Sequence, residues 1–150
     1  MMKIKKEKIL NALFNAVKET FEIMAFLDIE KIKKKKLNQF TNLVAIDIIE
    51  PEPGCVILFL PLELKTKIVG NIFNVDIKDL EIKKVDDCLL EILNVIAGNF
   101  LKNTYKKTVK YRLDIPKMLF DKKEMEYNNK FLEIYCNAED LPFKIGIKLK

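Results

Sequence analysis

The 150-residue chain contains no histidine. That absence removes Ser-His-Asp and Cys-His nucleophile systems, HExxH zinc sites and histidine proton shuttles together. Arginine is nearly missing too, with Arg112 standing alone among 27 basic residues. Arginine makes the commonest specific contacts to bases, so a net charge of +5 built on lysine argues against nucleic-acid recognition. The lysine run at 33–36 has no aromatic residue between its charges and reads as a solvated loop or helix end. Glycine is scarce and scattered, four residues in all, so there is no glycine-rich phosphate loop. Cys55, Cys88 and Cys136 are odd in number, far apart and set in apolar runs. They read as buried free thiols of a reducing compartment. No run approaches about 18 apolar residues, and the basic N-terminus leads into an amphipathic stretch interrupted by Asn11 and Asn15. The expectation is a cytoplasmic protein without a membrane span.

What is present is globular. Half the residues are hydrophobic and a third are charged, at a length that buries a core without disulfides or metals. Residues 1–150 read as a single domain. Ile9, Leu10, Leu13, Phe14, Val17, Phe21 and Met24 recur at helical spacing, predicting a helix over 6–26. A lysine-rich connection runs to about residue 42, and 43–49 reads as a strand. Pro51-Glu52-Pro53-Gly54 is turn chemistry, with Gly54 free to take positive φ. Residues 55–60 are apolar at every position, hence a strand covered on both faces and paired with the one before it. Pro61 opens a helix over 62–73, with Leu64, Ile68, Ile72 and Phe73 inward. Residues 74–84 form a link to a longer helix reaching about 103. Strands are expected at 108–115, ended by Pro116, at 131–136 and at 143–149. The stretch 121–126 is polar and undefined, and 137–142 is a hairpin turn. Helices and strands are grouped rather than alternating, which predicts an α+β fold with an antiparallel or mixed sheet and helices packed on it.

The long helix carries the informative pattern. At about 100° per residue, Val85, Leu89, Ile92, Leu93, Ile96 and Phe100 fall on one side. Asp87, Glu91, Asn94 and Gly98 fall on the other, at i, i+3 and i+4 spacings. Such a ladder is ordinarily a solvated face, but Asn and Gly cost about 0.5 and 1 kcal/mol relative to Ala in a helix. A face that is only solvated would more cheaply carry Lys, Glu or Gln. Glu91-x-x-Asn94 alone is weak, because about one such pair is expected by chance from this composition. A second pair, Glu126-x-x-Asn129, lies in turn chemistry and is assigned no function.

The longer pattern Asp87-x3-Glu91-x2-Asn94-x-Ile96-Ala97-Gly98-Asn99, with Pro116 further on, resembles the signature helix of the CheC/CheX/FliY chemotaxis phosphatases. The resemblance extends along the chain. The first helix with Phe21-Glu22-Ile23-Met24, the Pro/Gly-turned hairpin, Pro61 opening a helix and the alternating last strand stand in family order. CheC-type members carry a second motif on the first helix. Here that helix offers Asn11 and Asn15, with Lys8 and Ala12 where Glu would stand, so the chain looks like the one-site CheX type.

The resemblance implies a phosphatase acting on the aspartyl phosphate of a CheY-like response regulator in bacterial chemotaxis or two-component signalling. Phosphoryl transfer needs an in-line water and charge stabilisation more than covalent chemistry. The regulator would bring the phosphoaspartate, Mg²⁺ and a lysine, so the phosphatase needs no cofactor of its own. Asn94 would orient the water and Glu91 would pair with the regulator's lysine. Asp87 would sit at the rim of the docking face, and Gly98 would clear space for the partner's backbone, unless the glycine serves helix packing within the monomer. A homodimer joined through sheet edges is implied as well. The alternative is a non-catalytic module of the same fold that binds a receiver or a flagellar switch component.

Overall fold

In a computed structural model the chain is described at residues 5–37, 40, 42–120 and 122–150. Residues 1–4, 38, 39, 41 and 121 lie outside the described residues, and with them parts of the basic N-terminus, the lysine-rich connection and the polar stretch. Three helices, α1 (Lys6–Ala25), α2 (Leu62–Phe73) and α3 (Ile82–Thr104), fall where the apolar periodicity places them. The strands are β1 (Ile29–Ile32), β2 (Asn42–Glu50), β3 (Gly54–Leu60), β4 (Arg112–Leu113), β5 (Lys117–Leu119), β6 (Leu132–Ala138) and β7 (Leu141–Leu149). They form one sheet in the order β1-β6-β7-β3-β2-β4, with β5 also on β2, and every pairing is antiparallel.

The fully apolar strand β3 sits at the centre for the reason its composition suggests. Alternate side chains of a strand point to opposite faces. Val56, Leu58 and Leu60 join the core under the helices, whereas Cys55, Ile57 and Phe59 belong to a second cluster on the opposite face. Leu43 and Ala45 of β2, with Phe40, Leu119, Tyr127 and Phe131, complete that second cluster. The main core collects Leu13, Val17 and Phe21 of α1, Leu64 and Ile68 of α2 and Leu89, Leu93, Ile96 and Phe100 of α3. The rings of Phe21 and Phe143 stack across the helix–sheet boundary, with centroids 5.3 Å apart.

Several expectations need correction. The lysine-rich connection contains β1, which pairs with β6 from Ile29↔Ala138 to Ile32↔Tyr135. Residues 33–36 do form an exposed segment beyond it. The strand expected over 108–115 shrinks to Arg112–Leu113, because β2 offers its outer edge to two short strands in turn. The chain leaves β4 at Asp114, whose amide donates to the Asp47 carbonyl at 2.9 Å, and rejoins the sheet at Lys117. Gly54 has no positive φ, nor does any other described glycine. Its need for glycine is steric, since a Cβ there would strike the Lys148 carbonyl of β7. The β6–β7 turn is only Glu139-Asp140, both at positive φ (47° and 73°), the two-residue geometry that matches strand twist. In α2, Val69 is buried in place of Ile72 and Phe73, which are only partly covered.

Candidate functional site

Helix α3 rests on the sheet through Val85, Leu89, Ile92, Leu93, Ile96 and Phe100, each no more than 5% exposed. Ala97 and Leu101 are buried beside them. The polar ladder therefore faces outward, with Asp87 and Glu91 exposed and Asn94 and Gly98 partly so. All four predicted site residues lie on one side of one helix, which is where their spacing puts them. No hydrogen bond or ion pair among the described residues takes up the side chains of Asp87, Glu91 or Asn94. Asn94 is partly covered by its neighbours, and its amide has no hydrogen-bond partner among the described residues.

Other helical asparagines show the contrast. Asn71 of α2 donates to the Ala25 carbonyl at 2.8 Å, and Asn99 of α3 donates to the Thr20 hydroxyl of α1 at 3.2 Å. Thr20 is 1% exposed, so that bond satisfies a buried hydroxyl and ties α3 to α1. Asn99 belongs to the sequence pattern, yet its place is structural. The signal was available: five residues beyond Asn94 is about 140° around the helix, toward the neighbour rather than outward.

Gly98 separates two explanations of its own presence. A Cβ added there would meet nothing within 4 Å. Packing inside the monomer therefore does not require glycine at this position. On α1, Asn11 and Asn15 are exposed, Lys8 is exposed and Ala12 is buried, and Asn11, Ala12, Asn15 and Asn103 line a common cleft. The Glu126/Asn129 pair lies in a turn, where Glu126 takes φ 51° and Asn128 accepts from the Lys130 amide at 2.9 Å.

A second polar cluster was not anticipated. Lys144 of β7 pairs with Glu133 of β6 at 3.0 Å, and its ammonium lies 4.6 Å from the Phe59 ring centroid. Tyr127 and Tyr135 donate to the same carboxylate. Burial by itself would raise the Glu133 pKa, but the Tyr127, Lys144 and Tyr135 hydrogen bonds outweigh it and hold the group below the ordinary carboxylate value. The cluster sits beside the second apolar cluster, on the sheet face away from α3. The three cysteines are unpaired; Cys55 and Cys136 are buried and Cys88 partly covered, and burial pushes their pKa values up to about 12, 12 and 11. They are weak nucleophiles. Among the described residues no cluster of three or more Cys, Asp or Glu could hold a metal ion, and no helix is long and apolar enough to cross a membrane.

An antiparallel sheet backed by helices, with an acidic-amide ladder facing outward on α3, is the frame in which the comparisons with known proteins fall. The model of the family described as "Chemotaxis phosphatase CheX" matches residues 43–137, which include all of α3. The chain belongs to the CheX family. Solved structures carry the same fold at low identity. A CheX chemotaxis protein from Desulfovibrio desulfuricans aligns with TM-score 0.75 and 13% identity, over 95% of this chain and 99% of its own. A CheX protein from Vibrio vulnificus aligns with TM-score 0.75 and 14% identity, over 95% and 99%. A chain of the CheX-CheY-BeF3-Mg²⁺ complex from Borrelia burgdorferi aligns with TM-score 0.72 and 14% identity, over 95% and 97%. No curated protein sequence matches the chain.

Proposed function

We propose that this chain acts in the cytoplasm and hydrolyses the aspartyl phosphate of a CheY-like receiver domain. Asn94 orients the attacking water and Glu91 pairs with a lysine of the receiver. One observation carries the reading: Asn94 stands partly covered on an outward face, and no hydrogen bond among the described residues engages its amide. Family membership supports the reaction class, and the Borrelia burgdorferi neighbour was solved with CheY bound.

In this reading the receiver supplies the phosphoaspartate and the Mg²⁺. The Asn94 carbonyl oxygen accepts a hydrogen bond from the water, fixing it in line with the phosphorus. As the new P–O bond forms, the bond to the aspartate oxygen breaks, leaving inorganic phosphate and a free carboxylate. Glu91, one turn before Asn94, sets register through a charge-assisted contact. Asp87 lies a further turn back, at the rim. Gly98 leaves room one turn beyond Asn94. Two copies associate through sheet edges in the same proposal. Ile115 and Phe120, which flank β5 at one edge and are 84% and 100% exposed, offer apolar contacts there.

The test adds the protein to a phosphorylated receiver in Mg²⁺ buffer and follows phosphate release. Release well above the receiver's own rate supports the proposal. Binding without acceleration would instead favour a non-catalytic receiver-binding module.

A further inference from the structure

We propose that Ile23 and Phe26, at the end of α1, are the apolar anchors that seat the receiver beside Asn94, setting affinity rather than turnover. The inference rests on the proposed function and adds to it a second helix.

The Thr20–Asn99 bond fixes how α1 and α3 lie against each other. Asn103, further along α3, shares a cleft with Asn11, Ala12 and Asn15, further back along α1. The two helices therefore run antiparallel. One turn onward from Thr20 is Ile23, and one turn back from Asn99 on the same side is Val95, beside Asn94. Ile23 thus stands level with the ladder, across the groove between the helices. It is 67% exposed. It lies on the wheel next to Ala16 and Ala12, on the shoulder of α1 turned toward α3.

Phe26 adds a second, independent oddity. It ends α1 in the left-handed conformation, at φ 56° and ψ 37°. Glycine or asparagine usually occupies such a position, because a side chain there costs about 1–2 kcal/mol. Helix α2 follows the rule, ending on Asn74 at φ 55°. Phe26 does not, and its ring stays 70% exposed. Among the described residues, neither Ile23 nor Phe26 belongs to a hydrophobic cluster. A strained backbone that carries an uncovered aromatic ring is explained by a partner, not by folding.

Geometry names that partner. Packed helices lie about 8–10 Å apart, and a standard interface buries about 800 Å² on each side. With Ile23 level with the ladder, a receiver whose phosphoaspartate reaches Asn94 and whose footprint has that size extends over the end of α1 in this proposal. Polar contacts from Glu91 set register, and buried apolar anchors supply most of the affinity.

The test compares wild type, Ile23→Asp and Phe26→Gly for binding to a CheY receiver treated with beryllofluoride and Mg²⁺, and for kcat and KM of phosphate release. Each variant is expected to weaken binding and raise KM about tenfold, with kcat within twofold. Circular dichroism should show both folded, and Phe26→Gly should raise Tm. If both variants bind within twofold of wild type while wild type hydrolyses, the inference is wrong and the phosphatase reading stands. If the variants weaken binding but wild type hydrolyses nothing, the phosphatase reading fails and the anchors stand. A wild type that neither binds nor hydrolyses overturns both.

Discussion

Asn94 and Asn99 stand five residues apart on α3, yet only Asn99 is tied down, donating to the buried Thr20 hydroxyl of α1. The same residue type thus has two assignments on one helix. Removing Asn99 leaves Thr20 buried without that partner. Asn99→Ala is expected to lower stability by about 1 kcal/mol, the lost bond being partly offset by alanine's helix propensity. Urea unfolding measures it, and turnover per folded molecule should hardly change.

Gly98 pulls in two directions. With nothing within 4 Å of where an added methyl group would stand, Gly98→Ala should raise stability by about 0.5–1 kcal/mol through helix propensity. On the proposed docking face the same methyl should weaken receiver binding. A variant that melts higher and binds worse identifies a residue kept for the partner. Unchanged binding would leave the glycine without a role in docking.

Glu133 gives a pH dependence with a definite sign. Its pKa is lower in the folded protein than the ordinary 4.5, so its stabilising effect is full at neutral pH. That contribution is lost as pH falls from 4.5 through the lowered folded value. Glu133→Gln should cost about 2 kcal/mol at pH 7, because Lys144 is left largely buried without its counter-charge. The gap between variant and wild type should close in acid. Denaturant midpoints at pH 7 and below pH 4.5 measure it.

Gly54 tests the packing of the two central strands. A methyl group there strikes the β7 backbone at Lys148, which cannot swing aside as a side chain could. Gly54→Ala should destabilise by about 1–3 kcal/mol, read from thermal or urea unfolding. Little change would mean that β3 and β7 can move apart at that point without cost.

The helices were legible because each buries a continuous stripe, and the burial of Val85, Leu89, Ile92, Leu93, Ile96 and Phe100 follows their spacing. Strand β3 was legible because both faces are covered, which requires apolar residues throughout. The weaker elements were hidden by what surrounds them. Strand β1 is four residues at an edge, with Glu30 and Lys31 facing solvent, so its composition matches the lysine run that follows. Strands β4 and β5 exist only because β2 offers each a short length of edge, a tertiary fact with no local signature. For the ladder, position was legible and purpose was not. Spacing brings Asp87, Glu91, Asn94 and Gly98 to one face, while the distinction between Asn94 and Asn99 depends on where α1 lies.

The role proposed for Asn94 is to act on a water, with no part in holding the fold. The most direct measurement is phosphate release from a phosphorylated CheY-like receiver with Asn94→Ala beside wild type. Unfolding of both proteins should be followed in the same buffer. The variant should melt at or slightly above wild type, since alanine is the better helix former and no hydrogen bond among the described residues is lost. Its kcat should fall by about 100-fold or more, the scale lost when a positioned catalytic group is removed. A variant that turns over as fast as wild type would contradict the account.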